Sequence, residues 1–136
     1  MTETVTGTAD ENDLAARDGR VALVVGGAGA IGGASCERLA LMGCVVALAD
    51  IDLAAAERKI AELPGSRHRA FAADAASEDD IEALFDRVEA EVGPVSIVLY
   101  VAGGPCIDPK QPQRIADTSV EVWERAHRLN AQGLFY

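Results

Sequence analysis

The chain has 136 residues, 49% hydrophobic and 25% charged, with 12 Lys and Arg against 22 Asp and Glu and a formal net charge of −10. That length and balance suit one folded globular domain. The acidity, with no basic cluster, argues against nucleic acid as a partner, and no apolar stretch approaches the roughly 20 residues of a membrane span.

Residues 1–18 are rich in Thr, Glu, Asp and Ala without a sustained apolar period, so they read as a flexible acidic tail. No signal-peptide pattern opens the chain, which therefore reads as cytoplasmic. Residues 19–136 read as a single unit. Val21–Val25 is an apolar run that stops at glycines, as a buried strand does. Ala30 to Met42 carries Ile31, Ala34, Leu39, Leu41 and Met42 at helical spacing and ends near Gly43. Cys44–Ala49 is a second buried strand. Asp52 is a credible cap for a helix through Leu63, which Pro64 and Gly65 terminate.

A shorter strand covers His68–Ala72. Ser77 caps a helix to about Val92, with Glu78, Asp79 and Asp80 in the first turn, where the helix dipole favours acids. Gly93 and Pro94 break it. Val95–Val101 is the fourth strand, followed by Ala102, Gly103 and Gly104 and then a loop with Pro105, Pro109 and Pro112. Thr118 with Glu121 reads as a capping box. The helix it opens shows its pattern at Val122, Ala126, Leu129, Gly133 and Leu134, and no stop signal follows.

Strands alternating with helices predict an α/β fold with a parallel sheet. Right-handed crossovers give strand order 3-2-1-4, an incomplete doubly wound sheet whose last helix is cut. Such a chain reads as a truncated or proteolysed piece. Its exposed fourth strand and unfinished helix predict association, as a homo-oligomer.

The chemistry concentrates in the first turn. Gly27-x-Gly29-x-x-Gly32 is a literal GxGxxG, and Val25 to Gly32 also fits TGxxx[AG]xG with Val in place of Thr. Glycines here let the backbone turn tightly, approach a pyrophosphate and pack helix on strand. The helix N-terminus then offers bare N–H groups to phosphate. Gly26, Ala28, Gly29, Ala30, Ile31 and Gly32 are therefore candidate cofactor-binding residues.

Asp50 ends the second strand eighteen residues after Gly32. The dinucleotide fingerprint places an acid there to accept hydrogen bonds from the adenosine ribose. A carboxylate at that point repels a 2′-phosphate, and no Lys or Arg directly follows it. NAD is the expected cofactor, with NADP less favoured. Asp74, after the third strand, is either an acceptor for the adenine amino group or a turn residue. Ala102 and Gly103 leave room for a ribose, or simply make a turn. Ile51 and Ala75, beside the two acids, belong to the same candidate pocket.

Other residues carry less. Cys36, Cys44 and Cys106 show neither paired spacing nor nearby histidine pairs, so no metal site is expected. His68 and His127 read as ordinary side chains, and Lys110 and Arg114 as solvated loop charges.

The glycine turn, Asp50, Asp74, the strand ending in Ala102–Gly103, and Trp123 followed by Asn130-Ala131-Gln132-Gly133-Leu134-Phe135 together resemble the short-chain dehydrogenase/reductase family. The resemblance runs from about Arg20 to Tyr136. It implies a Rossmann fold, a nicotinamide cofactor and hydride transfer between an alcohol and a ketone. The substrate it implies is small or acyl-linked, as in a 3-oxoacyl reductase. It also implies that Asn130 is the helix asparagine of the catalytic tetrad, which holds a water in the proton relay.

Two departures stand out. The family often has Asn-Asn-Ala-Gly where this chain has Tyr100-Val101-Ala102-Gly103, which removes amides that brace the active-site floor. The family's catalytic Ser and Tyr-x-x-x-Lys would fall beyond residue 136, and neither Tyr100 nor Tyr136 has Lys four residues on. The chain alone is thus expected to be inactive. Two other readings compete: a non-catalytic nucleotide-binding or interaction protein of the same fold, and a class I methyltransferase, which also surrounds a nucleoside with a glycine turn and a strand-end acid.

Overall fold

The computed structural model describes residues 19–105 and 114–136. The acidic tail, Cys106 and Lys110 lie outside the described residues.

Strands β1 (Val21–Val25), β2 (Val45–Asp50), β3 (Arg69–Ala72) and β4 (Val95–Tyr100) form one sheet in the order β3-β2-β1-β4. All its pairings are parallel. Helices α1 (Ala30–Leu41), α2 (Leu53–Glu62), α3 (Glu78–Glu91) and α4 (Val120–Asn130) follow the strands. This is the Rossmann-like order expected from the alternation, because right-handed crossovers leave no other simple path.

Side-chain alternation divides the core between the two faces of the sheet. Val21, Leu23 and Val25 of β1 join Phe71 and α3 residues Ile81, Leu84 and Val88 on one face. Val24, Val46 and Leu48 join Cys36 of α1 and Ala56 of α2 on the other. Every β1 residue is buried, as are Val45–Ala49 of β2. Strands covered on both faces must be apolar throughout, which is why they read as unbroken hydrophobic runs. β4 sits at the sheet edge, and its residues alternate between exposed and half-buried before Leu99 and Tyr100.

The caps explain most helix starts. The Asp52 carboxylate accepts from the Ala55 N–H at 3.0 Å, and the Ser77 hydroxyl from the Asp80 N–H at 3.3 Å. Gly43, with φ +83°, ends the turn after α1 in a conformation only glycine adopts readily.

Some boundaries differ from the sequence expectation. The β2–β3 ladder stops at Ala47 opposite Arg69, so His68 is outside the strand. Its ring takes over instead: Nδ1 accepts from the Val46 N–H at 2.9 Å and Nε2 donates to the Pro64 carbonyl at 2.8 Å. His68 thus ties β2 to the turn after α2. Ser119, not Thr118, caps α4, accepting from the Val122 N–H at 3.3 Å. The Thr118 hydroxyl donates to the Arg114 carbonyl and closes a short 3-10 turn over Ile115–Asp117. Glu121 is therefore one position short of a capping box; it bonds the Ser119 hydroxyl, which holds its carboxyl below the usual carboxylate range.

The largest correction concerns the last helix. It does not run on through Leu134; α4 ends at Asn130, and a 3-10 turn covers Gln132–Leu134. The expected pattern failed because tertiary contacts intervene. The Leu129 carbonyl accepts from the Tyr100 hydroxyl, and Gly133 is buried so tightly that a Cβ there would meet the Ala75 carbonyl oxygen and the Tyr100 hydroxyl. Leu134 and Phe135 point outward, exposed.

Candidate functional site

The strand order reverses between β1 and β4, and parallel sheets bind ligands at the carboxyl ends of strands at such a point. A cavity of about 250 Å³ lies there. Gly26 and Gly29 of the first turn form its floor, and Asp50 and Ile51 line it from the end of β2. Asp74 and Ala75 enter after β3, Ala102 and Gly103 after β4, and Arg125 and Leu129 from α4.

The glycine turn is built by close backbone approach. Gly26 has φ +84°, and a Cβ on it would lie 2.5 Å from the Ala102 nitrogen. A Cβ on Gly32 would run into the Gly26 carbonyl oxygen. Gly26 and Gly27 both donate to the Ala49 carbonyl, at 2.8 and 3.1 Å, which ties the turn to β2. The Gly33 N–H returns to Gly29 at 2.7 Å, whereas the N–H groups of Ala30, Ile31 and Gly32 have no acceptor among the described residues. Those three amides lie at the positive end of α1, where a helix N-terminus favours negative charge.

Asp50 is fixed by the turn it faces. Its Oδ2 accepts from the Ala28 N–H at 3.0 Å and its Oδ1 from the Asp52 N–H at 3.1 Å. Acid and turn therefore converge on one cavity rather than diverging. Asp74 is the turn residue foreseen as one of its two readings, with Oδ1 accepting from the Ala76 N–H at 2.9 Å, and it also faces the cavity.

Of the predicted site residues, Gly26, Gly29, Asp50, Ile51, Asp74, Ala75, Ala102 and Gly103 line the cavity. Ala28, Ala30, Ile31 and Gly32 are outside that lining. Ala28 commits its N–H to Asp50, and Gly32 is buried beneath the turn. Asn130 is also outside the lining. Its amide clasps Gly104: Oδ1 accepts from the Gly104 N–H at 2.9 Å, and Nδ2 donates to the Gly104 carbonyl at 2.8 Å and to Ala126 at 2.7 Å. Both amide hydrogens are used, leaving the second lone pair of Oδ1 for any further partner.

Two side chains at the cavity escaped sequence reasoning. Arg125 donates to Asp74 through Nη1 and Nη2, each 3.2 Å from Oδ2. Tyr100 donates to Leu129 and lies 3.4 Å from the Ala75 carbonyl. Tyr100 drew attention only as a departure from Asn, yet its phenol supplies bracing at the place where amides are missing. Burial, then the nearby Asp74 charge and Tyr136, push its pKa up, which keeps the hydroxyl a donor. The available signal for Arg125 was its i,i+4 spacing from Leu129, which puts both on one helix face. Burial pushes the Cys36 thiol up to about 11, which keeps it protonated at neutral pH.

Comparison with known proteins bears on this geometry. The family described as short chain dehydrogenase matches residues 20–136. A D-threitol dehydrogenase of Mycolicibacterium smegmatis is 35% identical over 120 residues, covering 87% of this chain and 44% of that protein. A 2,3-dihydro-2,3-dihydroxybenzoate dehydrogenase of Bacillus subtilis is 32% identical, with the same coverage of 87% and 44%. Among solved structures, a 3-ketoacyl-(acyl-carrier-protein) reductase from Brucella melitensis, complexed with NADH, superposes with a TM-score of 0.75 at 29% identity, covering 87% of this chain and 47% of that one. The chain thus spans less than half the length of these relatives. Because the match takes in the glycine turn, the acids and α4 without a break, the chain belongs to the short-chain dehydrogenase family of oxidoreductases.

Proposed function

We propose that this chain is the cofactor-binding part of an NAD-dependent oxidoreductase that moves hydride between a nicotinamide and a small or acyl-linked alcohol or ketone. One observation carries the reading: the Asp50 carboxylate and the glycine turn meet at a single cavity, joined by the 3.0 Å bond from Ala28.

The residues present fit a dinucleotide. A Cβ at Gly26 or Gly32 would strike the Ala102 nitrogen or the Gly26 carbonyl, so these glycines let the turn close tightly beside the cavity. Ala30, Ile31 and Gly32 would hold the pyrophosphate through backbone N–H groups, which bind anions without side-chain cations. Asp50 would accept from the adenosine ribose, and Asp74 with Ala75 would face the adenine. Ala102 and Gly103 would leave room for the second ribose. When bound, the nicotinamide carries the hydride; the protein supplies position and electrostatics.

The preference for NAD over NADP rests on charge. Asp50 would oppose a 2′-phosphate, and Arg125, the one cation among the described cavity-lining residues, is already paired with Asp74. Asn130 would hold Gly104, and through it the end of β4, in place for the reacting groups. The acid–base step needs a phenol with a lysine beside it, and no Tyr-x-x-x-Lys occurs in these 136 residues. This chain alone is therefore expected to bind but not to turn over. We place it in the cytoplasm, acting in a homo-oligomer; among the described residues no helix is long and apolar enough to cross a membrane.

Titration with NADH, NADPH and S-adenosylmethionine tests the reading. NADH should bind more tightly than NADPH, with no hydride transfer to any ketone. Binding of S-adenosylmethionine alone would remove the dehydrogenase assignment.

A further inference from the structure

Two contacts outside that reading join the same two walls of the cavity. One wall is the loop after β3, with Asp74 and Ala75; the other is the face of α4 that carries Arg125 and Leu129. Arg125 spans them through its ion pair with Asp74, at 3.2 Å. Tyr100 spans them from beneath, bonded to the Leu129 carbonyl and 3.4 Å from that of Ala75. A phenol has one proton, so it serves one carbonyl at a time, and Leu129 is the nearer. Gly133 closes the joint, since any side chain there would strike Ala75 and Tyr100.

These ties add to the packing of half-buried Leu129 and to the Asn130 clasp in holding α4. None of its residues is buried. Leu129 directly precedes Asn130, so a shift of the helix end would carry the clasp on Gly104 with it.

We propose that Tyr100 and Arg125 are positioning residues that set the width of the adenine end of the cavity and keep Asn130 in register with Gly104. The ligand half of this inference rests on the dinucleotide reading above. Arg125 fixes the Asp74 carboxylate in one orientation toward the cavity. Tyr100 supplies the last turn of α4 with a donor that the helix itself lacks.

The test uses Tyr100→Phe and Arg125→Gln in the full chain, with two readouts. Amide hydrogen exchange at Asn130, Ala131, Gly133 and Gly104 reports the helix end. Calorimetric affinities for ADP-ribose and for nicotinamide mononucleotide report the two halves of the cavity. Loss of the phenol hydrogen bond should speed exchange at these amides about three- to tenfold and weaken ADP-ribose by a similar factor. Arg125→Gln, at a half-exposed pair, should weaken ADP-ribose up to about fivefold. Nicotinamide mononucleotide should be unaffected by Arg125→Gln and should lose less than ADP-ribose on Tyr100→Phe, a split that general destabilisation would not produce.

Unchanged exchange at these amides, or equal losses for the two half-ligands, would overturn the proposal. Should the unaltered chain bind neither half-ligand, the dinucleotide reading fails, and the exchange rates still decide whether the brace exists. If Tyr100→Phe does not fold, Arg125→Gln, at the surface, carries both measurements.

Discussion

The cavity has two halves held by different means. On the β1–β2 side, backbone lies against backbone: Gly26 packs on Ala102, Gly32 sits under the Gly26 carbonyl, and the strands beneath are buried. On the β4–α4 side, side chains do the holding, through Tyr100, Arg125 and Asn130, and α4 buries no residue of its own. Close backbone contact leaves no room for adjustment, so substitutions there act all at once. Side-chain ties are separate and moderate, so their loss should be graded and local.

The largest expected effect is on the first side. Gly32→Val places a branched side chain against the Gly26 carbonyl and the Gly27 backbone, so the turn itself must move. We expect a loss of about 3 kcal/mol or more in urea unfolding, together with loss of NADH binding. Full affinity in this variant would break the contrast between the two halves.

Asp50→Ala comes next. It leaves the Ala28 and Asp52 N–H groups without their carboxylate, at an expected cost of about 1–3 kcal/mol. NAD affinity should fall more than NADP affinity, because the change removes both a ribose acceptor and a repulsive charge. Equal losses in a fluorescence titration would undo the specificity argument.

A smaller, pH-dependent effect belongs to the second half. The Tyr100 pKa is raised above the ordinary phenol value of about 10. The unfolded chain therefore ionises this group first. The associated stability is complete below pH about 10 and is lost as pH rises through the raised folded-state value. Phenolate absorbance should reveal one tyrosine titrating late, and Tyr100→Phe should remove it. If Tyr100 titrates at the ordinary value, the brace is absent.

The smallest effect should come from Arg114→Ala. Arg114 pairs with Asp117 on an exposed 3-10 turn, away from both halves. Neither the denaturation midpoint nor NADH affinity should move, and a clear shift in either would extend the site beyond the two halves described.

Much of the first half was legible in the sequence because its causes are local. An apolar run, three glycines at fixed spacing and a capping Asp or Ser each act within a few residues, through sterics and short hydrogen bonds. The position of Asp50 followed from strand length alone. The boundaries missed by one residue, at His68 and Ser119, are places where a side chain replaces a backbone partner. A periodic pattern does not encode that choice.

Chain order and hydrophobic periodicity by themselves determined the parallel sheet, its order and the glycine-lined cavity with Asp50 at its rim. Only the tertiary structure decided where α4 ends, that Tyr100 stands in as a brace, and that Arg125 holds Asp74. The partners in those contacts lie 29 and 51 residues apart along the chain. Nothing in local spacing selects such a pair; they meet only once the sheet and its crossovers have brought the loop after β3 beside the final helix.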